Sequence, residues 1–206
     1  MFTGFGLPEM DKTIALATDT FAEANATKLL EVSDSVPKMK VQMNDTQNEI
    51  GYLFFKEAHT TISAETYIDF TSVPVNAESR AGITLTNEDR SAQLKFYLYV
   101  PQNGTNVTKL QIYWENGFSK WGTPVFDDFL PASLANIGVK NIKMSVERDG
   151  DTYKVYVNDE QVDTGELSAI NGFNITSQTP TYIGLFGGQQ SMIFHDFKYS
   201  YGPKVE

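Results

Sequence analysis

Three stretches decide the fold: Arg80-Ala-Gly-Ile-Thr-Leu-Thr86, Leu94-Lys-Phe-Tyr-Leu-Tyr-Val100 and Leu110-Gln-Ile-Tyr-Trp-Glu115. Side chains along a strand point alternately to its two faces. Each stretch therefore divides into an apolar set and a polar, aromatic set. The apolar set is Ala81, Ile83, Leu85, Phe96, Leu98, Val100, Leu110, Ile112 and Trp114. The other set is Arg80, Thr84, Thr86, Lys95, Tyr97, Tyr99, Gln111, Tyr113 and Glu115. The alternation predicts three strands with one face on a core and the other carrying tyrosines among hydrogen-bonding groups.

Outward from this block the same period recurs. Strands are predicted over 38–43, 49–55 and 62–71, and again over 142–148, 153–157, 181–186 and 192–199. Turn signals separate them: Asn87-Glu-Asp, Pro101-Gln-Asn-Gly, Asp149-Gly150, Asn158-Asp159 and Gly187-Gly188. The N-terminal forty residues read two ways. Thr20-Phe-Ala-Glu23 has the form of a capping box opening a helix towards Leu30, and a strand and loop at a sandwich edge competes with it. The stretch from Asn116 to Asn141 reads as a long connection with a helical turn near 128–135. Many short strands with almost no helix predict an all-β, antiparallel two-sheet sandwich, one domain over residues 1–206, with 1–20 a linker or an edge strand.

Composition excludes several function classes. The chain has 206 residues and no cysteine, which removes disulfides, thiolate metal sites and cysteine nucleophiles. Its net charge is −10 and its lysines and arginines are scattered, so neither nucleic acid nor an anionic membrane is expected as a partner. No apolar run reaches transmembrane length, and no signal peptide stands in this segment. The abrupt start at Met-Phe-Thr-Gly reads as an excised piece of a larger protein. Asn-x-Thr sequons begin at Asn25, Asn44, Asn103, Asn106 and Asn174, a pattern that arises readily by chance in an Asn- and Thr-rich chain.

The order of segments resembles the concanavalin A-like lectin/glucanase superfamily, the jelly roll shared by laminin G-like domains, legume lectins and bacterial carbohydrate-binding modules. The resemblance rests on Ser79-Arg-Ala-Gly-Ile-Thr-Leu85, Phe96-Tyr-Leu-Tyr99, the hairpin from Ile142 to Asp159, Tyr182-Ile-Gly-Leu-Phe-Gly187 and Phe194-His-Asp-Phe-Lys-Tyr199, and covers roughly residues 40–201. It implies two curved sheets, ligands on a concave face or rim, and often one calcium ion. Calcium stays an open candidate, with oxygens available from Asn44-Asp45, Asp127-Asp128 and Asp149-Gly-Asp151.

The glycosidases of that superfamily place two carboxylates about 5 Å apart on one strand, as Glu-x-Asp-x-Glu or Glu-x-Asp-x-x-Glu. The nearest match, Glu147-Arg-Asp149, runs into a turn and lacks the second glutamate, so no enzyme is expected. An active site would need Glu65 or Asp69 opposite Glu115. His59 and His195 have no zinc spacing, and His195 reads as a polar strand-face residue.

What remains is recognition. Sugar rings present apolar C–H faces and hydroxyl edges, which suit flat aromatics flanked by polar groups. The candidate glycan-binding residues are Arg80, Tyr97, Tyr99, Gln111, Tyr113, Glu115, Asn116 and Trp121, with Phe118 and Lys120 in the same loop. Tyr97→Ala or Tyr113→Ala is expected to weaken glycan binding with stability nearly intact. The expectation is a non-catalytic, monomeric carbohydrate-binding module in a secreted or cell-surface bacterial protein, its other partners being neighbouring domains. The alternative is a structural or protein-adhesive spacer with no sugar ligand.

Overall fold

The computed structural model describes residues 27–32, 37–42, 50–72, 78–88, 91–116, 122–188 and 191–202. Within them run β1 (Thr27–Val32), β2 (Pro37–Gln42), β3 (Ile50–His59), β4 (Thr61–Ser72), β5 (Ser79–Thr86), β6 (Ala92–Val100) and β7 (Lys109–Asn116). They continue as β8 (Thr123–Phe129), β9 (Ile142–Asp149), β10 (Thr152–Val157), β11 (Glu160–Glu166), β12 (Thr181–Gly188) and β13 (Ser191–Tyr201). Single 3₁₀ turns at Ala132–Leu134 and Leu167–Ala169 are the only helical pieces among the described residues, and none is long and apolar enough to cross a membrane.

The strands form two antiparallel sheets. One has the order β1-β2-β13-β4-β9-β10-β11 and the other β3-β12-β5-β6-β7-β8. The apolar set read from the sequence lies between them. Ile83, Leu85, Phe96, Leu98 and Ile112 of the six-stranded sheet are buried against Ile62, Ile68, Met144, Val146 and Val155 of the seven-stranded one. Phe96 and Tyr153 meet across this layer with ring centroids 5.3 Å apart. Trp114 packs on the core from its end, only partly buried, with Phe173 against its ring at 5.7 Å.

Residues 27–32, left by the sequence between the end of a helix and an edge strand, form the edge strand β1; the capping box at Thr20–Glu23 lies outside the described residues. Two strands differ from the sequence reading. The long connection after Asn116 contains β8, whose residues are nearly all exposed because it is the edge of its sheet. Among the described residues β11 is likewise an edge, paired with β10 alone. Such strands have no fully buried face, so their sequences show little apolar alternation.

Arg148 continues the inward parity of Ile142, Met144 and Val146, and is buried, 1% exposed. The site for a charge there is built from acceptors. Its guanidinium donates to the carbonyls of Gly150, Thr176 and Thr179 and to Thr181 Oγ1. Burial lowers its pKa to about 10 against the pull of Asp151, which leaves it charged at neutral pH.

Candidate functional site: one face of the six-stranded sheet

Strands β5, β6 and β7 pair consecutively and antiparallel, which brings the polar and aromatic set together on the outer face of the six-stranded sheet. The register arranges it in rows. Arg80 faces Tyr99, which faces Lys109, which faces Phe129 of β8. The next row is Gly82, Tyr97, Gln111 and Asp127, followed by Thr84, Lys95 and Tyr113, then Thr86, Gln93 and Glu115.

The first row, with Asp127 and Tyr113, makes a partly exposed polar network that Gln111, itself buried at 5% exposed, links from beneath. Glu78 accepts from Arg80 Nη1 and, through its other oxygen, from the Tyr99 hydroxyl at 2.8 Å. The Arg80 guanidinium lies 5.0 Å from the Tyr99 ring centre, and its Nε donates to Gln111 Oε1 at 3.2 Å. Asp127 accepts from Lys109 at 2.9 Å and from the Tyr113 hydroxyl at 3.2 Å. Desolvation alone would raise the Asp127 pKa; hydrogen bonds from Lys109, Gln111 and Tyr113 hold it below the usual carboxylate range. The Tyr99 and Tyr113 hydroxyls are pushed up by desolvation and by their carboxylate neighbours, Glu78 and Asp127. Both phenols therefore stay protonated at neutral pH. At the edge, Phe129 is 69% exposed, with the Lys109 ammonium 5.1 Å from its ring centre.

The other half of the face is closed. Thr84, Thr86, Gln93, Lys95 and Glu115 are buried. Lys95 and Glu115 form an ion pair at 2.8 Å, and the Lys95 ammonium lies 5.7 Å from the Phe186 ring centre. Burial lowers the Lys95 pKa, partly offset by the attraction of Glu115.

Tyr97 sits where the two halves meet and is 1% exposed. Its ring touches Tyr113 at 5.6 Å and Phe186 at 5.3 Å. Phe186 and Tyr97 belong to strands separated by β5, and Gly82 stands between them in the register. A Cβ at Gly82 would come within 2.0 Å of the Phe96 carbonyl oxygen, so glycine is required there and leaves the dip into which both rings lean. The sequence expectation that Tyr97→Ala spares stability is corrected by this burial, since the substitution empties a packed position.

Desolvation, the largest cause, raises the Tyr97 pKa well above the usual tyrosine value. The folded protein thus keeps a proton that an unfolded tyrosine releases above about pH 10. This contribution to stability is intact below pH 10 and lost as pH rises beyond it, by up to about 1.4 kcal/mol per pH unit. Tyr97→Phe is accordingly expected to lose less stability than the wild type between about pH 9 and about pH 11.5. Urea unfolding at both pH values checks this, and equal losses would count against it.

The remaining candidates are placed differently. Asn116 has the parity of Trp114, not of the polar face. It binds the loop beyond β11, donating to the Gly172 carbonyl and accepting from the Asn174 amide. Trp121, Phe118 and Lys120 lie outside the described residues. Glu78, Lys109 and Phe129 join the face without having been singled out in the sequence, and so does Asp127, which the sequence offered only as a calcium ligand. The parity of Asp127 and Phe129 around Phe126 was the available signal.

Glu65 and Asp69 do not oppose Glu115. They lie on the outer face of the other sheet, where Glu65 pairs with Lys143 and Lys198, and the core separates them from Glu115. His195 is on that far face too, stacked on Tyr67 at 5.5 Å and hydrogen-bonded to Asp196. A groove of about 290 Å³ on that face is lined by Thr61, Ser63, Glu147, Asp149, Lys154 and neighbours, with no aromatic wall. Among the candidate calcium ligands, Asp127 is engaged as above, Asp149 accepts from Thr61, and Asp151 accepts from Ser168. No cluster of three metal-ligating side chains occurs among the described residues, and Asn44-Asp45 lie outside them.

No protein-family model and no curated protein matches the sequence. Solved structures do match the arrangement of strands. The catalytic domain of an endo-1,3-beta-glucanase (laminarinase) from Thermotoga petrophila superposes with a TM-score of 0.58 at 10% identity, over 84% of this chain and 80% of that one. The carbohydrate binding module CBM66 from Bacillus subtilis gives 0.50 at 14% identity, over 85% and 92%. The fold is that of the concanavalin A-like lectins and glucanases. A kappa-carrageenase from Pseudoalteromonas carrageenovora, solved with an oligotetrasaccharide, shares this jelly roll at 0.52 and 13% identity, over 88% and 87%. Binding modules and catalytic domains both carry the concanavalin A-like fold, so the function must be argued from the side chains of this chain.

Proposed function

We propose that the chain is a non-catalytic carbohydrate-binding module that holds a glycan on the open half of the six-stranded sheet, through Arg80, Tyr99, Tyr113 and Phe129, with buried Gln111 fixing Arg80 from below. The observation that carries this reading is the aromatic edge: Phe129, two-thirds exposed, beside half-buried Tyr99 and Tyr113 and a continuous hydrogen-bond network. Phe129 offers a flat surface for the C–H face of a sugar, and the network offers donors and acceptors for its hydroxyls. With strands about 4.8 Å apart and residues on one face about 6.7 Å apart, the ground from Arg80 to Phe129 and on to Tyr113 measures roughly 14 Å across the strands and roughly 13 Å along them, room for about two sugar rings. Tyr97 and the Lys95–Glu115 pair support the floor and do not touch the ligand. The carbohydrate-active neighbours support a place in a secreted or cell-surface protein, and the absence of cysteine favours a bacterial over an animal one.

Titration calorimetry with oligosaccharides tests this. Phe129→Ala and Tyr113→Ala are each expected to weaken binding about tenfold or more, equivalent to about 1.4 kcal/mol. Phe129→Ala should leave stability within about 0.5 kcal/mol of the wild type, because its ring is exposed. Equal affinity in both variants would remove this face from the site. The closed half of the face favours one other reading, a spacer or protein-adhesive domain, because its polar groups are buried within the chain. A folded protein silent across a broad glycan array would establish that reading instead.

A further inference from the structure

The face is charge-balanced pair by pair. Arg80 is paired with Glu78, Lys109 with Asp127 at 2.9 Å and Lys95 with Glu115 at 2.8 Å. Three cations meet three anions among its described residues, on a chain whose net charge is −10. A uronate or sulfate arriving here would have to draw Arg80 or Lys109 away from its carboxylate and leave that carboxylate unmatched. An amino sugar would have to do the reverse, against the same bonds. A hydroxyl faces no such obstacle, because it donates to a carboxylate or accepts from a phenol without changing the charge of the network. Phe129 adds apolar area, which attracts an uncharged ring and does nothing for a charged substituent.

We infer that the ligand of this site is a neutral glycan and that the paired charges act as a filter against anionic polysaccharides. This rests on the carbohydrate-binding reading and narrows it to a substrate class. The distinction has kinetic and salt signatures: binding that neutralises no net charge changes little with ionic strength, whereas capture of an anion weakens as salt is added.

The test uses the full chain and two matched sets of oligosaccharides. The neutral set contains glucan, mannan and fructan oligomers; the anionic set contains polyuronate and sulfated galactan oligomers of the same lengths. Neutral ligands are expected to bind at least about tenfold tighter, with affinity constant within about twofold from about 50 to about 500 mM NaCl. Asp127→Asn and Glu78→Gln each release a cation, and each is expected to gain binding of the anionic set at low salt that fades at high salt. Two sites are used so that one misfolded variant does not decide the matter. Tighter, salt-sensitive binding of the anionic set by the wild type would overturn the inference and leave the carbohydrate-binding reading standing. Binding of neither set by folded protein would overturn both.

Discussion

Replacing Arg148 with methionine is expected to lower the unfolding free energy by about 3–5 kcal/mol, the scale on which a buried charge network is broken. The substitution removes hydrogen bonds to four acceptors: the carbonyls of Gly150, Thr176 and Thr179 and the hydroxyl of Thr181. Each acceptor left dry costs about 1–3 kcal/mol, and partial rehydration of the loop keeps the total below their sum. The residue sits at the end of β9 and anchors the segment leading into β12, so its loss frees a strand of the six-stranded sheet from a strand of the other. At about 2–4 °C per kcal/mol, the melting temperature should fall by about 10 °C. Arg148→Lys should recover only part of this, because three donors on one nitrogen cannot reach acceptors spread around a planar fork. Denaturant unfolding measures all three proteins. A methionine variant within about 1 kcal/mol of the wild type would mean that solvent already serves these carbonyls.

The second large effect is expected at Lys95 and Glu115. Both side chains are almost fully buried on the outer face of the sheet, paired at 2.8 Å. Lys95→Met removes the cation paired with a buried carboxylate and should cost about 3–5 kcal/mol. Glu115→Gln removes the anion paired with a buried ammonium, with a loss of similar size. Lys95→Met combined with Glu115→Leu removes both charges and should be within about 1 kcal/mol of the wild type, or above it. A double-mutant cycle reads the difference. If the double variant loses as much as the two single losses added together, the pair is not coupled as its geometry implies.

The contrast between these sites and the alternating strands shows what the sequence reveals. The set from Ala81 to Ile112 was legible as core because every second residue of β5, β6 and β7 is apolar and buried. That parity also put Arg80, Tyr97, Tyr99, Gln111 and Tyr113 on one surface, as the register shows. Alternation says which face a side chain takes and nothing about what covers that face. For this reason Tyr97, read as a platform, is packed between Tyr113 and Phe186. Arg148 follows the parity of its strand, which turns a charge inward, and alternation alone does not reveal the carbonyl acceptors that receive it. Phe129 was missed, and Asp127 was read only as a calcium candidate, because an edge strand with a proline, Thr-Pro-Val-Phe-Asp-Asp-Phe, has no buried face to announce it.

The alternation along β5, β6 and β7 also constrains how this chain can change over generations. Core and candidate ligand residues occupy adjacent positions on the same strands, so one inserted or deleted residue inside a strand would exchange the two sets downstream of it. Point substitutions at every second position carry no such hazard. Diversification should therefore appear as replacements at 80, 99 and 113, with length changes confined to the connections at 87–91 and 101–108. A directed library that randomises those three positions at fixed length would sample new specificities while leaving the hydrophobic layer untouched.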